Sequence, residues 1–298
     1  MRVQSLLLAL LFTLGASLAF AAEPLSAADQ VAQMKRGVNI VGYDPIWKDP
    51  AKGRFKPRHF KIIKDGGFST VRINLYGFRQ MDDKLALSRR WYATLDGLVG
   101  EALKQNLNIV LDEHDYERCT DDTALCRRQL LAFWMQMAEH FRNAPQQVMF
   151  EILNEPNRKM DAEWNSLLAD ALAVIRKTNP TRNVIIGPAF WNNISHLPEL
   201  KLPESDRHII VTVHYYEPHT FTHQGASWAN MGTTHDIPFP YDPARWSESS
   251  SDLGFTPFME SWILSELRKY YQTGNAVALK NRITTAKQWA VDHNVPVI

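Results

Sequence analysis

Only two of the chain's 298 residues are cysteines, Cys119 and Cys126. That excludes a small fold built on a disulfide framework, and two such ligands alone make a poor zinc site. Neither sign of charge prevails, since 33 Lys and Arg face 32 Asp and Glu. A balanced chain has no electrostatic footprint for nucleic acid, and its substrate is expected to be neutral too. Apolar runs long enough to span a membrane are missing after Phe20. A Gly-rich phosphate loop is missing after the first strand-like run, which argues against a nucleotide-binding doubly wound fold. His219, His223 and His235 lack the cysteine or carboxylate company that zinc requires. No metal and no cofactor is expected.

What is present starts with a leader. Arg2 precedes an apolar run from Leu6 to Phe20 that ends in Ala19-Phe20-Ala21, the pattern of a signal peptide over residues 1–21. Its removal takes away Arg2 alone among the charged residues, leaving 32 of each sign. The expected product is a secreted or periplasmic monomer with one domain, residues 22–298. In an oxidising compartment the close pair Cys119 and Cys126 reads as a local disulfide.

The rest alternates. Strand-like runs at 37–43, 69–76, 108–116, 148–156, 183–191 and 208–216 are separated by helical patterns at 55–67, 89–106, 124–142, 161–177 and 276–292. Such alternation indicates βα units on a parallel sheet, and near-continuous Val/Ile/Leu runs suit strands covered on both faces. The fold class expected is α/β, a (β/α)₈ TIM barrel, which needs eight strands. Six are visible, and Val295-Pro296-Val297-Ile298 reads as the start of a seventh. Trp134 and Trp164 fall on helical stripes and are expected in the core. A connection of about 40 residues, Glu217 to Pro257, is rich in aromatics and His, which favours a functional loop.

In such a barrel, chemistry sits at the carboxyl ends of the strands. The polar residues found there are Arg72, His114, Asn154, Glu155, Trp191, Asn192, His214 and Tyr216. Strand alternation points His214 and Tyr216 one way, Tyr215 and Glu217 the other. A Glu among Arg, His, Asn and Tyr suggests acid/base work, with a structural ion pair as the competing reading of Glu155.

FEILNEPN, with RGVNI, VRINL, LDEHDY and HYYEPHTFTHQGASW in that order, resembles the glycoside hydrolase family 5 cellulases over about Lys35 to Ile298. The resemblance implies retaining hydrolysis of a β-linked polysaccharide, with endo-β-1,4-glucanase the first expectation. Mannan, xyloglucan or β-1,3-glucan cleavage is the enzymatic alternative, and a non-catalytic glucan binder the alternative outside catalysis. It also implies Glu155 as proton donor and acceptor, and Asn154 bonded to the sugar 2-hydroxyl. Arg72, His114, His214 and Tyr216 would line the centre, Arg72 and Tyr216 orienting the nucleophile. Trp191 and Trp228 are candidates for stacking on sugar rings. Asp115 stands where many relatives have a second His, a departure expected to affect substrate contacts.

Retaining hydrolysis needs two carboxyl groups about 5–5.5 Å apart. By resemblance the nucleophile follows a strand-seven run like VPVI, so a chain ending at Ile298 is expected to lack it and the strand-eight Trp. Asp112, Glu113, Glu217 and Glu260 are the available carboxylates, and parity or position disfavours each.

Overall fold

The computed structural model describes residues 23–246, Gly254 and residues 261–298. The expected leader, Glu260 and part of the long connection lie outside the described residues. The elements run α1 (Ala27–Met34), β1 (Gly37–Ile40), α2 (Arg58–Asp65), β2 (Thr70–Asn74), α3 (Arg89–Lys104), β3 (Asn108–Asp112), α4 (Tyr116–Asp121), α5 (Thr123–His140) and β4 (Val148–Glu151). They continue with α6 (Trp164–Arg176), β5 (Val184–Ile186), α7 (Ala189–Asn192), β6 (Ile209–Val211), α8 (His219–Thr222), α9 (Ser261–Arg268), α10 (Tyr270–Thr273) and α11 (Ala276–His293).

The six strands pair in chain order, all parallel. A doubly wound sheet would reverse its order at a switch point, and none occurs here, so the winding is that of a (β/α) barrel. The VPVI segment continues it. Val211 N–H donates to Pro296 O at 2.8 Å, Val213 N–H to Ile298 O at 3.0 Å, and Ile298 N–H to Val211 O at 2.8 Å. Among the described residues β1 pairs with β2 alone, leaving the barrel open on that side.

Alternation along each strand splits the interior in two. Val71, Ile73, Ile109, Leu111, Val148 and Phe150 point outward into the large core shared with the helices. Val110, Met149, Ile185 and Ile210 point inward and meet Ala27 and Met34 of α1 in a separate apolar layer. Helix α1 therefore closes the barrel floor. Its Ser26 cap accepts from Asp29 N–H at 3.1 Å, and its fully buried Gln30 donates to Asn108 Oδ1 at 3.0 Å. Above this layer the inward positions turn polar, with Arg72, Asn74, Asp112 and Glu151.

Every strand is shorter than its sequence run, and most of the excess is at the carboxyl end. The run 108–116 ends as a strand at Asp112, and Tyr116 already opens α4. The run 183–191 ends at Ile186, where Gly187-Pro188 removes one N–H donor and frees the chain to turn. These freed segments are bound by side chains instead. Trp134 and Trp164, both buried in the helical layer, donate their indole N–H to Ile152 O and Gly187 O, each at 2.8 Å. Cys119 and Cys126 are bonded to each other and join α4 to α5.

The described part of the connection after β6 packs on itself and on the helices that follow. Met231, Ile237, Ile263 and Tyr270 form a small core of their own, with Phe221, Tyr241 and Trp246 against it. Much of its aromatic content is thus packing.

Candidate active site

The polar layer is organised around Arg72 on β2. Its guanidinium donates to both oxygens of Glu151 on β4, Nε to Oε2 at 2.6 Å and Nη2 to Oε1 at 2.8 Å. Nη2 also reaches Asn154 Oδ1 at 2.9 Å and Asp112 Oδ2 at 3.0 Å, and Nη1 reaches Asn39 Oδ1 at 3.2 Å. One rigid fork thereby ties residues from β1, β2, β3 and β4, a task a lysine ammonium could not match. Burial alone would raise the Asp112 carboxyl, but Arg72 and then His114 hold it below the usual carboxylate range. Two buried carboxylates are held in place by one guanidinium.

His114 continues the network. Its Nδ1 lies 2.6 Å from Asp112 Oδ2, and the rings of Tyr76 and Tyr116 approach it edge-on at 5.3 and 6.0 Å. Glu155 takes φ +46°, in the left-handed region, so a backbone turn rather than strand geometry brings it and Asn154 into the same pocket. Its Oε1 lies 2.6 Å from His214 Nδ1 at the end of β6. Both side chains are about four-fifths covered, at 19% and 17% exposure, which leaves a carboxyl accessible yet firmly oriented. Burial, then the nearby Glu155 charge, raise the Tyr216 phenol, and the same two causes push Tyr116 up to about 12. A mostly covered but still accessible carboxyl with a histidine on one oxygen and neutral phenols around it can exchange a proton with a bound molecule.

The structure brings Arg72 and Asn154 into direct contact, pairs Glu155 with His214, and links His114 to Arg72 through Asp112. Tyr216 stands over this floor, its ring edge-on to His223 at 5.4 Å. Trp191 and Trp228 lie at the surface, 45% and 80% exposed, as does Tyr43 at 84%. Trp228 packs edge-on to His223 at 5.1 Å.

Asp115 is corrected. It is fully buried, its carboxylate pairs with Arg79 Nε at 2.5 Å, and Oδ2 accepts the Arg79 backbone N–H at 3.1 Å. It therefore holds the loop after β2 and does not face the cleft. Its neighbour Glu113, of the opposite parity to His114, lies in the barrel wall and accepts Gly77 N–H at 2.9 Å. Glu217 also faces away, to Arg282 on α11.

Sequence reasoning missed Glu151 and Asn74. Both sit at inward positions, and counting by twos from Met149 and Arg72 reaches them. Asn74 donates to Asp112 Oδ2 at 3.2 Å and shares its side with His114.

The family model described as cellulase (glycosyl hydrolase family 5) matches residues 31–298. Endoglucanase 3 of Fibrobacter succinogenes is 32% identical over 290 residues, covering 89% of this chain and 43% of that protein. The chain thus spans less than half the length of that relative. Among solved structures, a hyperthermophilic endo-β-1,4-glucanase in complex with substrate has TM-score 0.70 at 30% identity, covering 91% of this chain and 79% of that one. Thermotoga maritima Cel5A in complex with mannotriose has TM-score 0.69 at 29% identity, covering 90% and 79%.

Proposed function

Because the chain belongs to glycosyl hydrolase family 5, we propose that it hydrolyses a β-linked polysaccharide with retention, most simply as an endo-β-1,4-glucanase, and that Glu155 is its proton donor and acceptor. The observation that carries this is the Glu155 carboxyl itself. It stands just beyond the carboxyl end of β4, partly exposed, 2.6 Å from His214, beside an Asn154 locked by Arg72. In this reading Glu155 protonates the glycosidic oxygen as the bond breaks, then takes a proton from the incoming water. Asn154 presents its amide N–H to the sugar while Arg72 occupies its oxygen. Asp112 and Glu151 are both engaged by Arg72 and buried, so the attacking carboxylate is assigned to neither. Tyr216, Trp191 and Trp228 offer exposed ring faces that suit the C–H surfaces of pyranose rings.

The endoglucanase relatives support glucan, and the mannotriose complex of a structural neighbour supports mannan as the second substrate. Export is proposed with the function: a polysaccharide is met outside the cytoplasm, and the Cys119–Cys126 bridge suits an oxidising compartment.

The test is Glu155→Gln in the full-length protein. Turnover of cellulose or mannan oligosaccharides is expected to fall about 10²–10⁴-fold, the usual worth of a positioned acid/base. Substrates with activated leaving groups should suffer less in the glycosylation step. Near wild-type rates on unactivated glycans would remove Glu155 from this role. Binding and hydrolysis measured on one preparation separate an enzyme from a glycan-binding protein.

A further inference from the structure

Three consecutive residues after β5 are left-handed: Phe190 at φ +54°, Trp191 at +59° and Asn192 at +58°. For L-residues this conformation crowds Cβ against the following carbonyl and is unfavourable. Such a run persists only where the surroundings over-determine it, and its usual place is a functional site. Two of the three contacts that hold it lead to the Glu155–His214 pair. Phe190 N–H donates to Asp161 Oδ1 at 2.8 Å. Trp191 N–H donates to the carbonyl of Pro156, the residue after Glu155, at 3.0 Å, and Asn192 O accepts His214 N–H at 2.9 Å.

The turn delivers one side chain inward. Asn192 is fully buried, and its amide lies over Gly187, where a Cβ would sit 2.2 Å from Oδ1. Gly187 is thus required for Asn192 to be where it is. From there Asn192 Nδ2 lies 3.2 Å from His214 Nε2, while the other ring nitrogen faces Glu155 Oε1 at 2.6 Å.

We propose that Asn192 is a positioning residue that fixes the tautomer of His214 and, through it, the reactive oxygen of Glu155. The inference rests on the reading of Glu155 as acid/base. An amide N–H donating to Nε2 requires a lone pair there, so a neutral ring carries its proton on Nδ1. That proton is donated to Glu155 Oε1. The opposite tautomer would set a bare Nδ1 lone pair against the carboxylate. With Oε1 occupied as an acceptor, the proton that Glu155 gives and takes during turnover is confined to Oε2. The other charged or titratable groups acting on the pair are Arg72 from β2, Asp112 from β3, Tyr116 from α4, and Tyr216 and His223 after β6. Asn192 is the neighbour hydrogen-bonded to Nε2.

The experiment reads the ring directly by ¹⁵N NMR of histidine side chains in the 298-residue chain, with His214 assigned by its own substitution. Wild-type His214 should show the neutral Nδ1–H signature. Asn192→Gly suits the positive φ and removes only the amide, and it should lose that signature. Asn192→Asp offers Nε2 an acceptor in place of a donor, and it should move the ring to the Nε2–H or doubly protonated form. In the full-length protein Asn192→Gly should lower kcat about tenfold, less than the loss of the acid/base itself, with KM within about twofold. A wild-type ring protonated on Nε2, or an unchanged signature in both variants, overturns the inference. Should the Asp variant misfold, the Gly variant decides alone. The readout is independent of hydrolysis, so an inactive Glu155→Gln beside an unchanged ring would sink this inference and leave the acid/base role standing.

Discussion

Arg72 shows how one residue can organise a cleft. Its fork binds Glu151 with two hydrogen bonds and also touches Asp112 and Asn154. Removing Glu151 leaves the guanidinium charge paired with Asp112 but takes the acceptors from two buried N–H donors, and a buried donor left unsatisfied typically costs about 1–3 kcal/mol. Glu151→Ala is therefore expected to lower stability by about that amount in urea denaturation, and a loss under about 1 kcal/mol would show that water replaces the carboxylate. The same residue marks the limit of reading by eye. Glu155, Asn154, His114 and His214 are legible because each stands where an apolar run stops, and Arg72 because a charge interrupts one. Glu151 is enclosed in the run VMFE and shows only when side-chain parity is counted. Asn192 is visible as a polar residue after a strand run, but its role is not, because a left-handed turn leaves no periodic trace and Gly187-Pro188 announces only that a strand has ended.

Among the elements, the strands were visible and their ends were not. The pattern of Val, Ile and Leu continues past the last ladder hydrogen bond, since the freed segments are also buried, so the runs read long. The loop after β2 illustrates what holds such segments. Glu113 accepts the N–H groups of Gly77 and Asp115, and Asp115 accepts from Arg79, joining the ends of β2 and β3. Burial, and then Asp115, push the Glu113 carboxyl well above its ordinary value of 4.5. The folded chain thus holds this proton more tightly than the unfolded chain. Its contribution to stability is full below the unfolded value and is lost as pH rises through the raised one. Glu113→Gln cannot lose a proton. Its stability relative to wild type should improve between about pH 4 and about pH 8, read from urea midpoints at both ends. A constant difference across that range would contradict the assignment.

At the scale of the whole molecule, an apolar floor and a polar upper layer share one barrel, and the helical layer seals its outside. The class of fold was legible from the βα alternation, and the strand order without reversal confirms the barrel winding. The segment 295–298 is part of this wall. Deleting it removes three backbone hydrogen bonds to Val211 and Val213 and the packing of Val295 and Val297. The shortened protein should unfold at lower urea and scatter more light, because an uncovered strand edge invites pairing between molecules. Equal midpoints would show that β6 does not depend on its neighbour. The floor has its own consequence. Helix α1 lies against the inward residues of β3 to β6 at the end remote from Glu155, and the chain just before it is fastened there, with Asn183 Nδ2 donating to Leu25 O at 3.1 Å. Leu25 and the start of α1 therefore belong to the end of the barrel opposite the proposed acid/base, so a change made there is expected to act on the barrel's foundation and not on the carboxyl itself.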